Sequence, residues 1–467
     1  MGFLPVRAAI VAGRSCGAGL MLEGFRCLGS GAAGPVAWRE CPCIRTGEDR
    51  AASGEGRDLL CHNARGLPVN NVLALGLRER CIGSATCEFW EVPVMYNHTF
   101  IGLDVHAASV VGCALVPDTG ELVRKEMDSD PAVVLEWIRG FDAPVKAVYE
   151  SGPTGYVLAR FLREAGMFCV VAASSKLLRA PGDKIKTDKR DARLLAEMLA
   201  LGQVTEVRVP TREQEDLRDL SRLRATAAKN LAHARQHVNA ILLRHGIRYP
   251  KKTKWTREHV RWLHRQRFDS PVLQFTYEAD VEQAELLAAN LKRIDQHVVA
   301  VAKDCQYTPV VNALMCLRGI EVTTSFGLAV EIGDWTRFTG ANIGSYVGLV
   351  PSEQSSGQSR HQGPITKAGS KYARKLLVEA AWQHRRPYAR PGVRLMRQLD
   401  LVGPATRIRA LEGNHRLHHK WEVFDARKKT SVTANTAIAR ELAGWCWSLA
   451  APLQQREHEI GGHLNAA

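Results

Sequence analysis

IGLDVHAASVVGCALVPDTGELV, residues 101–123, decides how this chain is read. A short apolar run, Phe100–Leu103, ends on a carboxylate, Asp104. A second apolar run covers Val110–Val116. Pro117-Asp118-Thr119-Gly120 then turns the chain into a third strand, Glu121–Arg124. Strands joined by Pro/Gly/Asp turns predict a β-meander. Asp104 therefore sits at the tip of a strand in a rigid sheet, and the rest of the chain reads as supplying it with partners.

Downstream, Pro131 opens a helix carrying Val133, Val134, Trp137 and Ile138. Val145–Glu150 is a strand that again ends on a carboxylate. Ser151-Gly152-Pro153-Thr154-Gly155 turns it into a helix with Val157, Leu158, Phe161 and Leu162 at helical spacing. Met167–Ala172 reads as a buried strand. The charged run from Asp183 to Asp191 leads into a helix over Ala192–Leu201. Residues 96–205 thus predict an α/β domain in the ribonuclease H order β-β-β-α-β-α-β-α.

Residues 206–308 read as helical. Leu217, Leu220, Ala227, Leu231, Ala234, Val238 and Ile241 follow a 3,4 spacing broken at Arg224. Ala284, Leu287, Leu291, Ile294, Val298 and Val301 follow it unbroken. Between them lies a polar and aromatic stretch with Lys251-Lys252-Thr253-Lys254. Two such helices form a hairpin, a coiled-coil pair with another subunit, or an ordinary helical subdomain.

Residues 309–395 form a further unit. Leu317-Arg318-Gly319-Ile320-Glu321 followed by a small-residue helix has the pattern of a helix-hairpin-helix, in which a Gly turn brings backbone N–H groups to a phosphate; a plain turn fits equally. Residues 348–382, GLVPSEQSSGQSRHQGPITKAGSKYARKLLVEAAW, begin as a polar loop with four serines. They end as an amphipathic helix with Ala373, Leu376, Leu377, Ala380 and Ala381 on one face. Residues 396–467 read as a tail, basic to Lys429 and then helical, with Ala437–Leu442 running into Trp445 and Trp447 as a docking helix.

Residues 1–95 show no sustained period and are rich in Gly, Ala, Arg and Cys. They are expected to be a disordered extension produced by an upstream start, with Met95 as the natural beginning. Its apolar first stretch is interrupted by Arg7 and Arg14, against a signal peptide. Seven of the 12 cysteines lie there. Cys41, Cys43, Cys61 and His62 are candidate zinc ligands, although their spacing matches no usual zinc pattern. The other five are scattered singly, as in a reducing compartment.

The 467 residues carry a formal net charge of +15 and are 45% apolar. That basic balance favours polyanions, nucleic acid above all. No apolar run approaches the ~18 residues that span a bilayer. The expectation is a soluble, cytoplasmic, nucleoid-associated prokaryotic protein.

Asp104, Glu150, Asp188 and Asp191 form the candidate catalytic and metal-binding set. The first two end strands, and the last two stand at i and i+3 on a helix start and share its face. Singly, each reads as a strand end, turn former or helix cap. Together, carboxylates are the hard oxygen donors that Mg²⁺ prefers, with Mn²⁺ an alternative. Two ions about 4 Å apart would stabilise the attacking and leaving oxygens of phosphoryl transfer. Lys184, Lys186, Lys189 and Arg190 surround the acidic pair as candidate phosphate ligands.

These motifs resemble the DEDD transposases of bacterial and archaeal insertion sequences, the "one-ten" family that includes the Piv-like DNA invertases. The resemblance is carried by IGLDVH, YESGPTG and DKIKTDKRDARLLAEML. In the second half it is carried by LRGIEVTTSFGLAVEIGD, YVGLVPSEQSSGQSRHQGPITKAGSKYARKLLVEAAW (residues 346–382), RLHHKWEV and AIARELAGW. It covers about residues 97–450. It implies a RuvC-like nuclease domain, a coiled-coil arm and a mainly helical transposase domain carrying a catalytic serine. In the family that serine attacks a DNA phosphate and holds the strand as a phosphoserine. A non-coding bridge RNA guides target choice, and dimers assemble into a tetramer whose sites combine two subunits. Ser356, before Gly357, best matches this serine, with Ser355 as runner-up. Arg360, Lys367, Lys371, Arg374 and Lys375 flank it, and with Arg318 they are candidate DNA or RNA ligands.

The leading reading is an RNA-guided DNA recombinase of a mobile element. The alternatives are a metal-only endonuclease of the Holliday-junction type and an inactive nucleic-acid-binding copy.

Overall fold

The computed structural model describes residues 76–81, 87–92, 98–116, 119–142, 144–177, 188–356 and 359–465. Cys41, Cys43, Cys61 and His62, with Lys184 and Lys186, lie outside the described residues. Within the stretch expected to be disordered, Gly76–Cys81 (β1) and Cys87–Val92 (β2) pair antiparallel, from Gly76 opposite Val92 to Cys81 opposite Cys87.

Thr99–Val105 (β3), Ser109–Leu115 (β4) and Leu122–Asp128 (β5) form the antiparallel meander. The third strand runs four residues past its expected end at Arg124. Pro131–Arg139 (α1) follows. The Asp130 side chain accepts a hydrogen bond from the Ala132 N–H, and Pro131 occupies the first turn. Val145–Glu150 (β6), Val157–Glu164 (α2) and Phe168–Ala172 (β7) complete a five-stranded sheet ordered β5-β4-β3-β6-β7. β6 and β7 run parallel to β3. This mixed sheet fits the expected RNase H-like nuclease.

Strand alternation gives the two faces different work. Ile101, Leu103, Ala147, Tyr149 and Val171 share a core with Val134, Ile138, Leu158 and Leu162 of α1 and α2. The opposite face, with Cys113, Val148, Val170 and Ala172, packs under Asp188–Ala200 (α3) through Ala192 and Leu195. Gly102 sets the spacing there. A Cβ added to it would lie 2.0 Å from the Ala192 carbonyl oxygen and 2.6 Å from the Ala196 nitrogen. The helix approaches the sheet this closely because that position has no side chain.

Arg212–Arg244 (α4) begins at Thr211, whose side chain accepts from the Gln214 N–H. At 33 residues it is about 50 Å long. Arg257–Leu263 (α5) leads to Pro271–Val301 (α6). Ala227 shares a core with Ile294 and Val298. Val238 and Ile241 share one with Tyr277, Val281 and Ala284. The pairing order shows that the two long helices run antiparallel within one chain. Arg224, where the apolar spacing breaks, donates Nε to Asp295 Oδ1 at 2.8 Å, so an interhelical ion pair fills the gap.

Thr308–Met315 (α7), Val322–Ile332 (α8), Ile343–Tyr346 (α9), Lys371–Ala381 (α10), Val393–Leu399 (α11), Pro404–Ala426 (α12) and Ser431–Asn465 (α13) make the last body, with one hairpin, Pro351–Ser356 (β8) and Ser359–Ile365 (β9). The stretch read as a tail ending in a docking helix packs into this body. Leu417, Trp421, Ile438, Leu442 and Cys446 lie in the same core as Leu314, Phe326 and Leu377. Ile438, Leu442 and Cys446 recur every four residues, the stripe that buries one helix face.

Among the described residues no helix is long and apolar enough to cross a membrane. Cys113, Cys169, Cys305, Cys316 and Cys446 are free thiols.

Candidate active site

Asp104 and Glu150 sit side by side. The parallel register of β3 and β6 pairs Leu103 with Tyr149, so the next residue on each strand is a carboxylate. By alternation Asp104 shares the face of Gly102, and Glu150 that of Val148, which is the face α3 covers. The turn after Glu150 is fastened from both sides. The Tyr149 hydroxyl donates to the Gly155 carbonyl at 3.0 Å, and the Ser151 N–H donates to Ala172 O at 2.9 Å. Burial pushes the Tyr149 phenol well above its ordinary pKa, so it stays a donor.

His106 is a residue that sequence reasoning passed over. Its Nε2 lies 3.3 Å from Asp104 Oδ2. Residues i and i+2 of a strand share a face, so the Asp-x-His spacing was the available signal.

The other two candidate positions, Asp188 and Asp191, lie on α3, the helix that covers this face. Asp188 opens the helix and Asp191 follows, each one turn before Ala192 and Leu195, the residues seated on the sheet. The side chains of Asp188 and Lys189 lie outside the described residues. Among the described residues no group of three or more His, Cys, Asp or Glu is close enough to hold a metal ion. The donor chemistry suits a hard divalent cation, and the four positions share one sheet face and the helix that covers it.

The stretch read as a polar serine loop is a β-hairpin. Pro351 pairs with Ile365 and Ser356 with Ser359. Ser356 is therefore the last residue of β8, exposed at the hairpin tip. Its Oγ is 3.5 Å from Ser359 Oγ. Ser355 is engaged differently, donating to Glu353 Oε1 at 2.9 Å.

The base of the hairpin is tightly built. Arg374 Nη1 donates to Val347 O at 2.9 Å and Ala368 O at 2.8 Å, joining the segments that enter and leave it. Gly348, at φ 67°, would place a Cβ 2.3 Å from the Ala368 nitrogen.

The expected phosphate ligands therefore divide. Lys367 and Lys371 are exposed beside the hairpin. Lys375 is exposed and pairs with Glu379 at 3.6 Å. Arg190 is exposed on α3, and the Arg360 side chain lies outside the described residues. Arg374 and Arg318 hold the fold instead. Arg318 donates to Arg386 O at 3.1 Å and lies over the Tyr388 ring at 4.7 Å. Its backbone N–H donates to Asn414 Oδ1. Gly319, at φ 81°, would place a Cβ 2.5 Å from Ala380 O. The glycine turn read as a helix-hairpin-helix is thus packed against protein, with the Arg318 N–H already taken.

Two stretches of the chain match models of known families. Residues 101–247 match the DEDD family of IS110 transposases, and residues 311–392 match the transposase IS116/IS110/IS902 family. A putative transposase, y4qE, of Sinorhizobium fredii is 37% identical over 368 residues, covering 77% of this chain and 90% of that protein. The transposase for insertion sequence element IS1533 of Leptospira borgpetersenii is 28% identical over 349 residues, covering 72% and 99%. With these two matched stretches and a relative of this identity and coverage, the chain belongs to the IS110 family of insertion-sequence transposases.

Proposed function

We propose that this transposase cuts and rejoins DNA through a phosphoserine on Ser356, served by a divalent metal held by Asp104, Glu150, Asp188 and Asp191. The observation that carries the reading is the position of Ser356. It is an exposed hydroxyl at the tip of a hairpin whose base is locked, so it can be presented to a strand held elsewhere, including one held by a partner subunit. Such presentation suits a site shared between subunits, in a dimer or a tetramer.

Ser356 Oγ forms a bond to a DNA phosphorus, the bridging oxygen of that strand leaves, and the serine proton passes to the leaving oxygen through solvent. A hydroxyl of a second strand then bonds to that phosphorus as the bond to Ser356 Oγ breaks, and its proton returns to Ser356 through solvent. One phosphodiester is exchanged for another, so no external energy source is needed. A serine hydroxyl is a weak nucleophile and needs activation. Bound Mg²⁺ or Mn²⁺ would supply Lewis-acid polarisation of the phosphate. Lys367 and Lys371 offer charge for the phosphates beside the serine. Guidance by a non-coding RNA belongs to the same proposal and rests on the family resemblance.

The test is covalent trapping. Protein, Mg²⁺, flanking non-coding RNA and labelled junction DNA are run on a denaturing gel for wild type, Ser356→Ala and Asp188→Ala. An adduct that needs both residues supports the proposal. Cleavage that survives Ser356→Ala would move the assignment to a metal-only nuclease or to Ser355.

A further inference from the structure

We infer that the cleft between the hairpin base and helices α12 and α13 is a binding site for the sugar–phosphate backbone of a nucleic-acid strand. The inference rests on the reading that this chain acts on nucleic acid. The cleft has a volume of about 1090 Å³. Its far wall lies beyond residue 392, where the second matched stretch ends.

Four cations line it: Arg409, Lys420, Lys429 and Arg440. A single carboxylate, Glu441, faces them, and it is shared by Lys420 and by Arg416 at 3.1 Å. Arg409 is engaged as well, 3.2 Å from Glu412. Arg440 is exposed and has no hydrogen bond or ion pair among the described residues. Gly344 makes room for it, since a Cβ there would lie 3.1 Å from Arg440 Cγ. Lys429 is exposed and has no carboxylate partner among the described residues, with its Nζ 5.2 Å from the Phe424 ring. Two cations without acid partners thus face one cleft, and a polyanion is the ligand that complements them.

One aromatic ring in the cleft already has a cation stacked on it. Arg409 lies 4.1 Å over the Trp445 ring. Gly413, one turn on along α12, packs against the same ring, since a Cβ there would meet Trp445 Cε3 at 2.9 Å. The cations of the cleft left without acid partners among the described residues are Arg440 and Lys429, so contact is to the backbone and independent of sequence. The hairpin gives the site its purpose. Pro351 borders the cleft, and five residues on, about 16 Å along the strand, stands Ser356. That is about five steps of one duplex strand. Arg440 and Lys429 would hold the strand a fixed distance from the serine.

Duplex DNA and single-stranded RNA offer the same chemistry, and the test separates them. Fluorescence anisotropy is measured over a salt series with labelled duplex DNA and labelled single-stranded RNA, each in two unrelated sequences. The proteins are wild type, Arg440→Ala, Lys429→Ala and Lys292→Ala, an exposed position on α6, as control. Arg440→Ala and Lys429→Ala should each weaken binding about threefold or more, alike for both sequences. Each should flatten the salt slope by about 0.9. The ligand that loses affinity names the source. Both variants matching Lys292→Ala on every ligand, or wild type binding neither ligand, would overturn the inference. Trapping on Ser356 is read in parallel. An adduct with Arg440-independent binding sinks the cleft and leaves the phosphoserine. Arg440-dependent binding with no adduct does the reverse.

Discussion

Arg222 and Glu331, 109 residues apart, meet as a two-pronged ion pair, Nε to Oε1 at 2.7 Å and Nη2 to Oε2 at 3.2 Å. The Glu331 side chain is 2% exposed, and Ser370, the N-cap of α10, donates to the same carboxylate at 2.8 Å. Beside them Arg218 donates to the Val330 and Glu331 carbonyls at the end of α8. Three elements are thereby tied together: the start of the long helix α4, the end of α8, and α10 just past the hairpin. The hydrogen bonds that Arg222 donates to Glu331 hold its guanidinium above its ordinary pKa.

Arg222→Ala should strip this buried carboxylate of its cation. Arg222 itself is 55% exposed, so solvent screens part of the loss. The expected destabilisation is about 1–3 kcal/mol. Glu331→Gln, which keeps hydrogen-bonding capacity, should cost less. Urea unfolding of both variants checks the order, and a larger loss in Glu331→Gln would count against the pair.

Gly102→Ala should separate folding from cleavage. Its new methyl would collide with the Ala192 carbonyl and the Ala196 nitrogen, neither of which can rotate away. α3 must lift off the sheet, at about 1–3 kcal/mol. Asp188 and Asp191 ride on that helix, while Asp104 and Glu150 stay on the strands. The expected outcome is a folded protein by circular dichroism that still binds DNA and has lost strand cleavage. Wild-type cleavage would mean that the spacing of α3 from the sheet is immaterial to the chemistry.

The strands that carry Asp104 and Glu150 were legible because apolar runs closed by turn residues are a strong local signal. The hairpin was not. Pro351–Ile365 holds serines, glutamines and glycine in place of β-branched and aromatic residues. Its strands are held by register and by Arg374 bracing the base, both tertiary. Helix α12 hid its packing behind basic residues on its exposed face, while Leu417 and Trp421 turned inward. Charge alone also failed to separate Lys367, which faces solvent, from Arg374, which caps carbonyls. A cation's sequence neighbourhood does not record which way its stem runs.

His384 should make stability fall in acid. Its ring is fully buried and neither nitrogen has a hydrogen-bond partner among the described residues. Burial, with the nearby Arg318 charge and His418, pushes its pKa down to about 3. The unfolded chain, with a pKa near 6.5, binds the proton more readily than the folded one between these values. The folded state therefore has the full benefit above about pH 6.5 and loses it as pH falls toward 3, by about 2 kcal/mol at pH 5. His384→Leu removes the titrating group and fits an apolar site. Its melting temperature should fall less than that of wild type between pH 7 and pH 5. Parallel curves would show that other groups govern the acid side.

The two adjacent serines should behave differently. Ser355 and Ser356 alternate across β8 and face opposite sides of the hairpin. Ser355 already donates a hydrogen bond to Glu353 Oε1, which orients that hydroxyl along its own strand. Ser356 stands at the last paired position, beside the Ser359 hydroxyl. Ser356→Ala should abolish the protein–DNA adduct. Ser355→Ala should retain it, with only a modest loss from a looser strand. Ser356→Cys, which keeps a nucleophile in place, should restore a weak adduct, because a thiolate can attack where the alkoxide did. Ser359→Ala should leave an adduct that forms more slowly. Denaturing gels of trapped complexes, followed by peptide mapping of the modified residue, measure all four. An adduct on Ser355 in the Ser356→Ala protein would transfer the nucleophile one residue back and leave the hairpin as the device that presents it.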